Sequence, residues 1–340
     1  MNNIAKYITE FLGVYLPHER NVSPNTISTY RDSFVSFFCF LRDEQKIKVE
    51  KVTLLDINRD NILGYLRWLV EKQGNSISTR NNRLAAIHSF VSYLQYDSIE
   101  HLDQWQRILT IKNLKKEHPI PVHFTKEGIK LLLEQPDCTS NRELRHLAIL
   151  ALMYDTGCRV QELADLTVES LQIQCKPFST KVYGKGRKVR IVPLSEHVVE
   201  ILKKYMDGYH INCEMNIKRP IFSNSAGKKL TRAGITYVLK KYADMARIHN
   251  AKLIPDITSC HQLRHSRAMH LLQSGVNLVW IRDLLGHTSI QTTEVYARAD
   301  SKQKREAIER ASDCLTPTLS NGEWVDNKNL ITWLKEFGKR

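Results

Sequence analysis

No stretch of this sequence approaches the roughly 18 to 20 consecutive apolar residues that a membrane-spanning helix requires, so a bilayer-embedded chain is excluded as a reading. The opening segment, Met1 to Glu10, carries polar residues throughout, unlike a secretory leader, and a cytoplasmic protein is expected. Paired cysteines are lacking too. The seven cysteines, at 39, 138, 158, 175, 213, 260 and 314, are odd in number, widely spread and never form a CxxC pair, which excludes an encoded disulfide framework or zinc site. Reduced, mostly structural thiols are expected. No internal repeat or low-complexity tract is present, which leaves ordinary packed domains. Acid is the scarce sign of charge: 36 Asp+Glu face 50 Lys+Arg, a net +14 at pH 7, with a pI near 9.4. That excess points to a polyanion, with nucleic acid first and an anionic membrane surface as the other candidate.

What is present suits two domains. With 340 residues, 42% hydrophobic and 25% charged, the chain can bury two separate cores. The clearest break is Lys115 to Pro121 (KKEHPIP), where two prolines and a charge cluster interrupt helical patterns on both sides. It is read as a linker between a domain at 1–117 and one at 118–315, followed by an extension at 316–340. The first region reads as all-helical, with helices at Asn3–Tyr15, from Pro24 to Leu41 with Ser23 as N-cap, at Asp60–Lys72 and at Ser78–Tyr96. It carries 16 Lys+Arg and 13 Asp+Glu (net +3), against 34 and 23 (net +11) in residues 118–340, so the basic excess sits mainly in the second region.

That second region reads as helices at Thr125–Leu133, at Arg142–Thr156 and from Val160, then two short strands around Gly184-Lys185-Gly186-Arg187. Helices resume at Ser195–Tyr205, Arg232–Ala246, His261–Ser274, Asn277–Leu285, Ile290–Tyr296 and Ser301–Ala311. A last amphipathic segment, Asn327–Phe337, brings Leu330, Ile331, Trp333, Leu334 and Phe337 to one helical face.

Four segments carry chemistry. In Thr156-Gly157-Cys158-Arg159, a glycine ends one helix and sets Arg159 at the start of the next, where an oxyanion is welcome; Glu162, three residues on, can hold its guanidinium. Lys185 stands in a tight turn with Arg187, Lys188 and Arg190 close by, suited to a nucleic-acid groove and to proton donation. In His261-Gln262-Leu263-Arg264-His265, His261 and Arg264 share a helical face; the His261/His265 pair at i, i+4 lacks the glutamate of the HExxH zinc pattern. Gly286 ends a helix and presents His287, nine residues before Tyr296. Taken singly, each segment reads as well as solvated surface or core packing. Together, two arginines, two histidines, a lysine and a tyrosine form a cradle with a nucleophile and no carboxylate pair for magnesium. Phosphoryl transfer without a metal needs such fixed cations and donors around the pentacoordinate phosphorus.

At these residues the sequence resembles the tyrosine recombinase (phage integrase) family. The ordered set R…K…HxLRH…LLGH…Y runs from Thr125 to about Ala311, and the SPNTxxxY start at Ser23–Tyr30 with the helix at Ser78–Tyr96 resembles the family's SAM-like domain. The resemblance implies a mainly α chain: a SAM-like helical core-binding domain, then a mixed α/β tyrosine recombinase catalytic domain that is mostly helical with a small antiparallel sheet. It implies that Tyr296 attacks a scissile DNA phosphate to give a 3′-phosphotyrosyl bond and a free 5′-hydroxyl. Arg159, Arg264 and His287 would stabilise the transition state, Lys185 would protonate the leaving oxygen, His261 would assist proton movement at the tyrosine, and Glu162 would support. Neither metal, ATP nor another cofactor is expected.

Expected partners are double-stranded recombination sites, sister copies in a synaptic tetramer, and accessory DNA-bending or directionality factors. Candidate DNA contacts are Arg80, Arg83, Arg187 and Lys188, and the segment at Asn327–Phe337 is a candidate for docking on a neighbouring copy. No arm-site-binding region precedes the SAM-like part, and the extension at 316–340 favours an integrase or transposase of a mobile element. The alternatives are a Xer-like chromosome or plasmid dimer resolvase, a type IB topoisomerase-like enzyme and a non-catalytic DNA-binding factor.

Overall fold

Ser23 opens the first long helix in the way its side chain allows: on extended backbone, its Oγ accepts from the Thr26 amide at 3.4 Å, and Pro24, with no N–H to lose, takes the first helical position. The same device starts later helices, with Asn58 capping Asn61, Ser76 capping Thr79, Thr125 capping Gly128 and Ser140 capping Glu143. The computed structural model describes residues 3–116, 121–184, 188–211, 217–287, 289–299 and 330–337. The chain divides into two units, Met1–His118 and Pro119–Arg340.

The first unit is helical: α1 (Asn3–Glu10), a π-helical stretch (Phe11–Glu19), α2 (Pro24–Asp43), α3 (Arg59–Glu71), α4 (Ile77–Asp97) and α5 (Leu102–Leu109). A single α-helix over Asn3–Tyr15 was the expectation; instead α1 stops at Glu10 and the backbone widens into π turns. Pro17, which cannot donate an amide hydrogen, lies inside that stretch. The core is aromatic: Phe11, Phe34, Phe37, Phe40, Tyr65 and Phe90 are buried together, with Phe11 edge-on to both Phe34 and Phe90. Trp105, fully buried on α5, gives its indole N–H to the Ser98 carbonyl at 3.1 Å.

In the second unit, α6 (Lys126–Leu133) precedes α7 (Asn141–Thr156), whose residues from His146 to Met153 are buried without interruption. A helix apolar on all sides belongs in the middle of its domain. α7 packs against α6, α9 (Glu196–Gly208), α10 (Arg232–His249) and α11 (Cys260–Gln273); the unit also holds α8 (Val160–Ala164), α12 (Leu278–Leu285) and α13 (Gln291–Ala299), the last two packed with α11. The two expected strands are β2 (Ser179–Tyr183) and β3 (Val189–Pro193), antiparallel with Tyr183 opposite Val189; a short β1 (Leu171–Gln172), not anticipated, adds an edge. α14 (Leu330–Glu336) lies within the segment expected to be helical, whereas Ser301–Ala311 lies outside the described residues. Among the described residues no helix is long and apolar enough to cross a membrane.

Candidate active site

Two left-handed glycines build the frame. Gly157 ends α7 at φ +57° and Gly286 ends α12 at φ +66°, conformations that any side chain would strain. Neither place has room for one: a Cβ on Gly157 would come within 2.8 Å of Leu285 Cδ2, and one on Gly286 within 2.9 Å of Arg190 Nη1. Arg264, on α11, bridges the two helix ends. It is 1% exposed, and it donates from Nη1 to the Gly157 carbonyl at 2.8 Å and from Nη2 to the Leu285 carbonyl at 2.6 Å. Burial and the nearby Arg159 pull its pKa down to about 10, so it stays charged at neutral pH.

Glu162 gathers two more guanidiniums. Its carboxylate accepts from the Arg159 amide and from Arg159 Nη1, both at 2.8 Å, and also from Arg190 Nη2 at 2.6 Å and Nη1 at 3.2 Å. Burial alone would raise the Glu162 carboxyl, but the hydrogen bonds from Arg190 and Arg159 outweigh it and hold the group below the usual carboxylate range. Arg190 gives its remaining Nε–H to the Leu284 carbonyl at 2.9 Å, which ties β3 to α12. Two guanidiniums thus share one carboxylate while that of Arg264 bonds only backbone carbonyls, and the excess charge suits a bound oxyanion.

His287 follows Gly286 directly. Its Nδ1 lies 2.9 Å from the Oγ1 of the fully buried Thr293, and burial, with Arg264 and Arg159 nearby, brings its pKa down to about 4. Tyr296 on α13 is 2% exposed, and its Oη lies 2.7 Å from Nδ1 of His265. Burial raises the phenol's pKa, with Arg264 working against it. His261, exposed on the first turn of α11, turns its ring edgewise to His265 with centroids 4.7 Å apart.

Of the site residues read from the sequence, Arg159, Glu162, His261, Arg264, His287 and Tyr296 converge in the second unit. Lys185 and Arg187 lie outside the described residues, and Lys188 is exposed beside them. In the first unit Arg80 is turned inward rather than presented to a phosphate. It is 6% exposed and donates to the Lys112 carbonyl at 3.2 Å and to Asn81 Oδ1 at 2.9 Å, because its position on α4 faces the core. Arg83 is half-buried and donates to Ser33 Oγ at 3.1 Å.

Two residues of the cluster, Arg190 and His265, were not among the site residues read from the sequence. Arg190 stands two positions before the buried Val192, and strand alternation would have aimed both to one face. His265 was weighed there only as half of a zinc pair. Among the described residues, no group of three His, Cys, Asp or Glu is placed to hold a metal ion.

The model of the phage integrase family matches residues 122–303, and that of the phage integrase N-terminal SAM-like domain matches residues 8–96. The chain belongs to the phage integrase family. As a member it is a tyrosine recombinase, an enzyme that breaks and rejoins DNA strands. The tyrosine recombinase XerD of Oceanobacillus iheyensis is 32% identical over 295 residues, covering 86% of this chain and 94% of the relative. An integrase/recombinase of Sinorhizobium fredii, y4rC, is 30% identical over 314 residues, covering 91% of this chain and 92% of the relative. Among solved structures, the XerH site-specific recombinase bound to a palindromic difH substrate aligns with a TM-score of 0.69 at 22% identity, over 86% of this chain and 82% of that one, a likeness of fold.

Proposed function

We propose that this family member is a site-specific DNA recombinase in which Tyr296 is the nucleophile and Arg159, Arg264 and His287 stabilise the phosphorane, with Lys185 as the acid for the leaving 5′-oxygen and Glu162 as the support that aims Arg159. The observation that carries the reading is the convergence of one tyrosine, three arginines and three histidines around the ends of α7 and α12, with Glu162 holding two of the guanidiniums and Arg264 bridging the two helix ends. Charge develops on the non-bridging oxygens during attack, and fixed cations lower that barrier without reorganising. The phosphotyrosyl bond keeps the energy of the broken phosphodiester, so a second strand's 5′-hydroxyl can reverse the step without ATP, through a Holliday junction.

The partner of this reading is a pair of duplex recombination sites held by four copies, with accessory bending factors, in the cytoplasm. Ile331, Leu334 and Phe337 are all exposed around α14, which supports docking of that helix on a neighbouring copy. The biological role proposed is integration or transposition of a mobile element, a reading supported by the relative named an integrase/recombinase. A Xer-like dimer resolvase is the second reading, favoured by the 94% coverage of the XerD relative.

The test of the chemistry is a nicked suicide duplex carrying a site that the protein selects from random DNA. A covalent protein–DNA adduct is expected, and none with Tyr296→Phe. An adduct formed by Tyr296→Phe would assign the nucleophile elsewhere, and relaxation of supercoiled plasmid with no site preference would mark a topoisomerase. Sequencing the junctions made in cells separates insertion of an element from resolution of dimers.

A further inference from the structure

We propose that His265 is a catalytic residue of this recombinase: its Nδ1 holds the Tyr296 phenol in the resting site, takes the phenolic proton as Tyr296 attacks, and returns it on rejoining. The inference rests on the reading of Tyr296 as the nucleophile and assigns the base of that reaction, a task the sequence resemblance gives to His261.

The geometry favours His265. A phenol 2% exposed must place its O–H on an acceptor, and the partner 2.7 Å from Tyr296 Oη is Nδ1 of His265. That separation is within the reach a proton acceptor needs. His261 stands edgewise to the far partner of this pair, against the His265 ring. Both histidines project from α11, one turn apart, and α11 is anchored by Arg264 to the ends of α7 and α12. The phenol is therefore gripped by the same helix that carries the buried arginine. Burial, and then His261, Arg264 and His123 around it, bring the His265 pKa down to about 4. The imidazole is neutral in the resting protein, and in the tautomer with its proton on Nε2 its Nδ1 offers the lone pair that the buried phenol's O–H requires.

The step balances without another reactant. As the bond from Tyr296 Oη to phosphorus forms, the phosphorus–5′-oxygen bond breaks; the phenolic proton passes to His265 Nδ1, and the leaving 5′-oxygen takes a proton from Lys185. In rejoining, the 5′-hydroxyl attacks phosphorus and gives its proton back to Lys185, the phosphorus–Oη bond breaks, and His265 reprotonates the phenolate.

The test uses the full chain and the selected nicked duplex, with single-turnover adduct formation as the readout. In His265→Asn, the amide oxygen stands near the place of Nδ1 and still accepts the phenol's hydrogen bond but cannot carry its proton; His265→Leu removes both functions. Both should slow adduct formation by roughly 10²- to 10⁴-fold, the range of a lost general base. Replacing Tyr296 by 3,5-difluorotyrosine, a more acidic phenol that needs less help, should narrow the deficit of both variants to less than about tenfold, whereas a packing defect would not respond to phenol acidity. Circular dichroism checks that each variant is folded, and the Asn variant carries the test if the Leu variant is not.

Adduct formation at the wild-type rate in a folded His265→Asn protein would overturn the assignment, as would a deficit that the fluorinated phenol leaves untouched. Those failures are separable from failure of the recombinase reading, since that reading fails only if the wild-type chain itself forms no adduct. In that case both fall.

Discussion

Arg190 Nη2 lies 2.6 Å from Glu162 Oε2, and the two side chains are only 12% and 6% exposed. Because the same carboxylate also takes Arg159, β3 and the loop after α7 are locked to one another through a single acid. Arg190→Ala would leave Glu162 buried with half its partners and cut the tie from β3 to the Leu284 carbonyl. Breaking a buried pair of this kind costs about 3 to 5 kcal/mol, and that loss is expected in urea unfolding of the variant, with a smaller one for Arg190→Lys. A change below about 1 kcal/mol would mean that the pair is solvated in solution and contributes as surface pairs do.

Gly286→Ala should be costly for two separable reasons. Its φ of +66° strains any L side chain, a cost of roughly 1 to 2 kcal/mol. The new Cβ would also stand 2.9 Å from Arg190 Nη1 and 3.1 Å from Arg190 Cδ, and would push that guanidinium off Glu162. Comparing Gly286→Ala with Gly275→Ala isolates the second effect, since Gly275 is also left-handed, at φ +83°, but has nothing within 4 Å of its Cβ position. The expected result is a larger fall in unfolding free energy at 286; equal falls would remove the Arg190 clash from the explanation.

How much of this was legible depends on the range of the interaction. Caps and breaks are local, so Ser23-Pro24, Gly157 and Gly286 announced their helix ends and set Arg159 and His287 just beyond them, and the i, i+3 spacing put His261 and Arg264 on one helical face. The convergence of those turns is not local: Gly157 and Leu285 are far apart in the chain and meet on Arg264. Periodicity could not show that Glu162 serves two arginines, because the second arrives from β3. Nor could it tell which of two histidines on one helix reaches Tyr296. Arg80 shows the opposite failing: charge read as exposure, on a helix whose burial pattern carries that position inward.

Arg80→Ala should therefore act on stability. The guanidinium is buried, its pKa lowered by that burial, and it satisfies the Lys112 carbonyl. Removing a buried charged donor costs about 1.5 to 3 kcal/mol, which the aromatic near-ultraviolet dichroism of the first unit's core would report during urea unfolding. If Arg80 instead gripped a phosphate, the variant would be as stable as the wild type, and its DNA affinity would show a shallower salt dependence.

Acid should destabilise the second unit well before its carboxylates titrate. His146, His265, His270 and His287 are each held, chiefly by burial, to a pKa of about 4. In the unfolded chain a histidine takes up its proton near pH 6.5. Each folded-state value is depressed, so the unfolded state binds more protons between about pH 6.5 and 4. Their stabilisation is complete above that window and is lost as pH falls through it, at up to about 1.4 kcal/mol per pH unit for each histidine. Glu162, also held low, adds to the loss only at lower pH. The urea midpoint should therefore drop steadily from pH 7 to pH 5. His270→Asn keeps an acceptor for the Tyr154 hydroxyl, which lies 2.9 Å from His270 Nδ1, but cannot titrate, and should flatten the slope by about one histidine's share. A midpoint that stayed level or rose on acidification would show that these imidazoles reach water and protonate in the native state.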